Sequence, residues 1–245
     1  MSADLELALK LATVADELSL PRFRTGIPFE TKADLTPVTE ADRAVEAELR
    51  RILADERPDD AILGEEQGPT GTGSRRWILD PIDGTRNYAR GVPIWATLIA
   101  LEESGRVRLG VASAPALGRR WWAERGEGAF ADGDRIGVSS VERIEDAVLS
   151  FAYENELPAI ARRAWHVRGF GDFWAHMLVA EGAVDGTVDA RGVSEWDLAA
   201  MQVIVEESGG RFSDFDGVSR IDGGRAVTSN GLLHDELLAS LAPHL

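Results

Sequence analysis

Two carboxylates three residues apart, Asp80 and Asp83, stand in the run Asp80-Pro81-Ile82-Asp83-Gly84-Thr85. That spacing can aim both side chains and the Ile82 carbonyl at one hard cation. Pro81 fixes its own φ and restricts Asp80, and Gly84 lets the backbone approach a ligand closely. The same turn presents the N–H groups of Gly84 and Thr85 to an anion. Read alone, the run is more simply a strand-to-helix turn with an Asp cap, because caps and turns draw on the same residue types.

Its company changes the weighing. Glu65 and Glu66 follow an apolar strand that ends in Leu63-Gly64, Asp197 opens a helix after Trp196, and Thr39-Glu40-Ala41-Asp42 has the form of a capping box. Singly these are a solvated loop and two caps. The composition says what they can bind: with no Cys and four scattered His, a metal site in this chain must be made of oxygen, which suits Mg²⁺, Mn²⁺ or Ca²⁺. Forty-two acids against 26 bases give a net charge of −16, which disfavours nucleic acid and anionic membranes as partners but admits a phosphorylated small molecule where bound cations reverse the local field.

The elements that must position these groups are legible in outline. Leu5, Ala8, Leu9, Ala12 and Ala15 make an amphipathic first helix rather than a signal peptide, and the longest apolar stretch, 92–101, is broken by Pro93 and falls short of the roughly 20 residues of a membrane span. A cytoplasmic protein is the expectation. Val45, Leu49 and Ile52 mark a second helix capped by Thr39; 61–64 and 77–80 are predicted strands, and 67–74 is a flexible loop by composition. Segments 94–103, 107–114 and 119–124 form an antiparallel meander. After about residue 140 the pattern alternates strands (147–153, 186–189, 226–229) with helices (172–181, 197–208, 235–241), so the chain reads as one layered α/β unit of two packed subdomains, about 1–140 and about 141–245.

Taken in order, Pro37-Val38-Thr39-Glu40-Ala41-Asp42, Gly64-Glu65-Glu66, Trp77-Ile78-Leu79-Asp80-Pro81-Ile82-Asp83-Gly84-Thr85 and Trp196-Asp197-Leu198 through Glu207-Ser208-Gly209-Gly210 resemble the motif set of the inositol monophosphatase-like superfamily of Mg²⁺-dependent phosphatases. The resemblance spans essentially the whole chain and implies an α-β-α-β-α sandwich with metals between the subdomains, and commonly a homodimer. It implies Glu65, Asp80 and the Ile82 carbonyl as ligands of an activating metal. A second metal would take Asp80, Asp83 and Asp197, and Glu65 would lie near a weaker third. Two or three Mg²⁺, with Mn²⁺ as a substitute, follow from it. Gly84 and Thr85 would hold the phosphate, and Thr85 with Asp42 and Glu65 would orient a metal-activated water. Lys32 is a candidate positive charge near the phosphate.

Within the superfamily the chain is most similar to the actinobacterial-type histidinol-phosphate phosphatases, through Asp34-Leu35-Thr36-Pro37-Val38-Thr39, Arg90-Gly91-Val92-Pro93-Ile94-Trp95-Ala96-Thr97, Ser113-Ala114-Pro115-Ala116-Leu117 with Arg119-Arg120-Trp121-Trp122, Gly171-Asp172-Phe173, and Asn230-Gly231-Leu232-Leu233-His234-Asp235-Glu236. This implies hydrolysis of L-histidinol phosphate to L-histidinol in histidine biosynthesis. Gly171 and Asp172, with Asp83 and Asp197, are candidate substrate contacts, since a carboxylate at 172 would pair with the substrate's ammonium or imidazole; Asp172 is equally a helix cap. Arg168 is either a pocket residue or a surface charge. One departure stands out: members of the superfamily commonly place a substrate-binding Glu seven residues before the last metal Asp, and here that position is Ala190, leaving Asp189 or Glu195 to take the role. The alternatives are a phosphatase for inositol monophosphate or another small monoester, and a non-enzymatic binding module. The Trp121-Trp122 pair and the meander are possible interface contributors.

Overall fold

The computed structural model describes residues 1–25, 30–31, 37–151, 159–190 and 192–241. Lys32, residues 34–36, Arg191 and the expected strand end at 152–153 lie outside them. The chain begins with α1 (Ala3–Ser19), whose cap Ser2 accepts from the Leu5 N–H. A two-residue pairing of β1 (Glu30–Thr31) with β2 (Pro37–Val38) leads into α2 (Glu40–Glu56).

An eight-stranded sheet follows: β3 (Ala61–Gly64), β4 (Gly68–Thr70), β5 (Arg75–Asp83), β6 (Ala96–Glu103), β7 (Arg106–Ala114), β8 (Arg119–Glu124), β9 (Gly128–Ala131) and β10 (Asp134–Arg135). Its spatial order is β10-β9-β8-β7-β6-β5-β3-β4. The short α3 (Thr85–Arg90) interrupts it between β5 and β6. The meander is antiparallel as its turns predict. Among the described residues of this sheet only β3 and β5 run parallel, which brings the carboxyl ends of both to one edge.

The second sheet orders β12 (His166–Arg168), β11 (Val148–Phe151), β13 (Gly186–Asp189), β15 (Ala226–Ser229) and β14 (Arg211–Ser213). Its helices are α4 (Asp172–Ala180), α5 (Glu195–Glu207) and α6 (His234–Leu241).

Side-chain alternation decides the layering, since neighbouring residues of a strand face opposite ways. Ile62, Trp77 and Leu79 pack on Leu11, Val45 and Leu49 of α1 and α2, whereas Leu63 and Ile78 join Phe173, Met177 and Leu198 of α4 and α5 on the other face. Phe212 and Ala226 of the second sheet close that central layer. On the far side Leu149 and Val227 meet Leu237 of α6. The order is therefore helices, sheet, helices, sheet, helix, the expected α-β-α-β-α sandwich.

Three local readings need correction. The 67–74 segment holds a strand, β4, which pairs antiparallel with β3 and is tied to α2 by Arg50, donating from Nη1 to the Thr70 hydroxyl (2.9 Å) and from Nη2 to the Gly68 carbonyl. Asp80 to Asp83 is a β-bulge within β5 rather than a turn: the ladder to β6 skips from Asp80 to Asp83, and Thr97 donates to the otherwise stranded Pro81 carbonyl at 2.8 Å. Trp121 is fully buried and its Nε1 donates to Glu181 at 2.6 Å, so it belongs to the central core and is no surface contributor. No helix among the described residues is long and apolar enough to cross a membrane.

Candidate active site

The parallel pairing of β3 and β5 sets Gly64 beside Leu79, and the Glu65 N–H donates to the Leu79 carbonyl at 3.2 Å. Glu65 and Asp80 are therefore neighbours across the ladder although 15 positions apart in sequence. The bulge keeps Asp83 on the same rim, and Gly84, at φ 79°, turns the chain into α3. That conformation suits glycine, and a Cβ there would also lie 3.1 Å from the Ile94 carbonyl. From the central layer, α5 brings Asp197 as the N3 residue of a capping box: its Oδ2 accepts from the Ser194 N–H at 2.6 Å, which leaves its other oxygen for the cleft.

Asp80, Asp83 and Asp197 each offer a carboxylate oxygen, all within 4.8 Å of one another. Asp80 is 1 % exposed and Asp83 7 %. Burial pushes the carboxyls of Asp80 and Asp83 well above the usual range; Glu65 and Asp83 add to the effect on Asp80, and Asp172 and Asp197 to that on Asp83. Burial likewise raises Asp197 to about 7, against the opposing Ser194 hydrogen bond. The buried Asp80 Oδ1 meets no hydrogen-bond partner among the described residues. Crowded acids that repel one another, one with an orphaned oxygen aimed among the others, fit a hard divalent cation with oxygen ligands.

A second arrangement sits beside this one. Asp42, the N3 residue of α2, accepts at Oδ2 from the Thr39 N–H (2.8 Å) and hydroxyl (2.5 Å), and at Oδ1 from the Thr85 hydroxyl at 3.2 Å. The Thr85 hydroxyl lies 3.0 Å from the Ile82 carbonyl as well. Burial raises the Asp42 carboxyl, outweighing its bonds to Thr39. The capping box of the sequence reading is thus real, and it is also what carries Asp42 to Thr85.

Glu65, Asp80, Ile82, Asp83, Gly84, Thr85, Gly171, Asp172 and Asp197 all line one cleft of about 410 Å³, together with Arg86, Asn87, Gly169 and Gly192. Asp172 is the first residue of α4, at φ 53°, a left-handed backbone that costs a non-glycine residue energy and that recurs where structure serves a site. It does not cap its own helix; the Phe173 N–H at that end donates to Asp83 Oδ2 at 2.7 Å. Asn87 Nδ2 donates to Asp172 Oδ2 at 3.2 Å. Of the two acids considered in place of Ala190, Glu195 turns away, held by Arg76 at 2.5 Å on another cavity, whereas Asp189 stands close enough to Asp172 to raise its carboxyl, after burial itself. Arg168 is exposed outside the cleft.

Sequence reasoning missed Glu46. It is fully buried one turn after Asp42 and accepts from the Glu66 N–H (2.7 Å), the Gln67 N–H (3.0 Å) and Arg50 Nε (2.7 Å), pinning the chain on the far side of Glu65. The signal was present: Glu46 lies beside Val45 and one turn before Arg50 on the face that Leu49 buries.

Known proteins are similar to the chain along nearly its whole length. A profile of the inositol monophosphatase family matches residues 1–245. Proteins named histidinol-phosphatase are similar along nearly the whole chain: that of Mycobacterium tuberculosis is 52 % identical, covering 97 % of each chain, and that of Streptomyces coelicolor 47 % identical, covering 97 % of this chain and 96 % of its own. Among solved structures, a Thermotoga maritima IMPase superposes with a TM-score of 0.90 at 33 % identity over 99 % of this chain and 98 % of its own. With the matching profile, the near-complete relatives and the shared layering all agreeing, the chain belongs to the inositol monophosphatase family.

Proposed function

We propose that the protein is a Mg²⁺-dependent phosphatase that hydrolyses L-histidinol phosphate to L-histidinol and phosphate. The observation that carries the substrate is Asp172: a carboxylate held in a left-handed backbone at the cleft wall, with Asp189 behind it, presents negative charge where the ester's ammonium and imidazole must lie. The relatives named histidinol-phosphatase support the same reading. Glu65, Asp80, the Ile82 carbonyl, Asp83 and Asp197 would hold two or three Mg²⁺, with Mn²⁺ as a substitute. When bound, such ions neutralise the phosphate dianion, make water a nucleophile near neutral pH and support the leaving oxygen.

The chain's own groups do the rest. The N–H groups of Gly84 and Thr85 receive phosphate oxygens at the start of α3. The Thr85 hydroxyl spends its proton on Asp42 Oδ1 or the Ile82 carbonyl, so its lone pairs face the cleft as acceptors for the attacking water. Asp42, made more basic by burial, takes the proton that passes through Thr85, with Glu65 on the other side of the same water. Thr39 fixes Asp42 Oδ2 so that Oδ1 is the atom that receives it. Asp172, Asp189 and the glycine walls at 169, 171 and 192 receive the alcohol end.

Turnover of the purified protein with Mg²⁺ on histidinol phosphate and on inositol 1-phosphate tests this: the first is expected to win in kcat/KM by about two orders of magnitude, and an advantage for inositol phosphate defeats the substrate reading. The cation site has its own signature in stability. Acids whose folded pKa is raised hold protons that the unfolded chain has released, so their contribution falls as pH rises from about 4 toward the folded value near 7 for Asp197 and is lost above it. A bound cation removes that cost. The rise in Tm on adding Mg²⁺ should therefore be small at pH 5 and larger by on the order of 5–10 °C at pH 8; a rise independent of pH contradicts the site.

A homodimer is the second part of the proposal, supported by an apolar groove of about 310 Å³ formed by Val148, Phe170, Trp174, Leu178 and Val184, beside a Trp165 that is 71 % exposed. Light scattering should give a dimer that Trp165→Glu dissociates; a monomeric wild type rejects it.

A further inference from the structure

Among the described residues, His176 is a fully buried imidazole whose neighbours are Asp172 of the cleft and Asp189. It lies one turn after Asp172 on α4, so the two side chains share a helix face. Its Nε2 lies 2.6 Å from Asp189 Oδ2, at the end of β13, and its Nδ1 lies 2.9 Å from the Thr228 hydroxyl of β15. The hydroxyl partner at Nδ1 leaves Nε2–H to donate to the carboxylate, and thereby sets which way the ring and the acid face. An imidazole is expensive to bury unless each nitrogen is paired, and both are. None of the steps assigned to Asp42, Thr85 or the metal-binding acids uses it.

We infer that His176 is a positioning residue for substrate selection: joining α4 to β13 and β15, two of the inner strands of the second sheet, it fixes the Asp189 carboxylate behind Asp172, so that the two acids form an anionic wall selecting phosphate monoesters of amine-bearing alcohols. This rests on the proposed substrate class and deepens it. The residue at 190 is alanine, so an acid that serves the alcohol end must come from another position, and Asp189, the last residue of β13, is its neighbour in sequence. Asp189 has to be held from the helix side if it is to act in the cleft, and His176 is the group that holds it. Asn87 secures Asp172 from the opposite wall, so each acid has its own clamp. Mutual repulsion disfavours two such carboxylates side by side; Arg86 of the same cleft offsets part of it at Asp172, and the substrate's ammonium would offset the rest.

The test compares kcat and KM with Mg²⁺ on histidinol phosphate and on β-glycerophosphate, whose alcohol is uncharged. His176→Leu is expected to raise KM for histidinol phosphate about tenfold with kcat within about twofold, lowering the preference for the cationic ester at least about fivefold. His176→Gln, whose Nε2 can meet the same carboxylate, should keep that preference within about twofold, and Asp189→Asn should lose it as the Leu variant does. Equal losses on both esters, or a preference retained in both His176→Leu and Asp189→Asn, overturn the inference. Should His176→Leu not fold, Thr228→Val, nearly isosteric, and Asp189→Asn decide it: a fall in preference of about threefold or more upholds the role, and no fall rejects it. A wild type that does not prefer the cationic ester removes the substrate reading and this inference with it; a wild-type preference that the variants keep removes the inference alone.

Discussion

Asp83→Asn should reduce Mg²⁺-dependent turnover by at least about 10²–10³-fold while the protein melts at or above the wild-type temperature in the absence of metal. The two halves have one cause. Asp83 offers one oxygen to the Phe173 N–H at 2.7 Å and the other to a cluster whose members lie within 4.8 Å of each other. An amide oxygen can keep the first bond, so the start of α4 stays tied to β5. It cannot supply the charge, and a cation held by Asp80 and Asp197 then sits in a weaker field. In the metal-free protein the same change removes one of several repelling, desolvated carboxylates, which relieves the fold rather than harming it. The Mg²⁺-induced rise in Tm should shrink accordingly. Turnover within a fewfold of wild type would refute the site, and so would a metal-free variant that melts well below wild type.

The acids of the candidate site are legible in the sequence because each sits beside a backbone feature with a local signature. Acids placed where folding alone would not put them stay close to the backbone features that force them there: Asp80 and Asp83 around a proline bulge, Glu65 after the glycine that ends β3, Asp197 and Asp42 as third residues of capped helices. Each is short-range and visible as a motif. The helices α1 and α2 were legible for a similar reason, since their apolar stripes are periodic. What stayed hidden depends on distant partners. Gly68-Pro69-Thr70 has the composition of a loop, and it is a strand through its pairing with β3 and the bonds of Arg50, roughly a score of residues earlier, to the Gly68 carbonyl and the Thr70 hydroxyl. The proposed choice of Asp189 over Glu195 depends on which of the two a distant arginine holds, and Arg76 sits far from both in sequence. His176 gave a helical residue at an unremarkable spacing; that it reaches two strands is a fact of packing between layers, which no local pattern encodes.

Glu46→Gln should destabilise the protein by about 3–5 kcal/mol, the usual consequence of removing one member of a buried, hydrogen-bonded charge pair, and should also weaken Mg²⁺ activation. Glu46 is fully buried and its side-chain partner Arg50 nearly so. Its two oxygens accept three N–H groups, from Arg50 and from the backbone of Glu66 and Gln67. A glutamine of the same size has one acceptor oxygen and one NH₂ group, and whichever way it turns, the NH₂ faces a donor. Arg50 is then left without its counter-charge while still committed to β4. The cost does not stay in α2, because those backbone N–H groups belong to the chain that immediately follows Glu65. Loosening it frees a proposed metal ligand, so half-maximal activation should need about tenfold more Mg²⁺. Gly64→Ala is a control by another route: a Cβ there would lie 2.3 Å from Glu46 Oε1, displacing the same carboxylate without altering any charge. Urea unfolding read alongside a Mg²⁺ titration checks both variants. If Glu46→Gln lowers stability and leaves the Mg²⁺ requirement unchanged, the pair supports α2 only and has no part in holding Glu65.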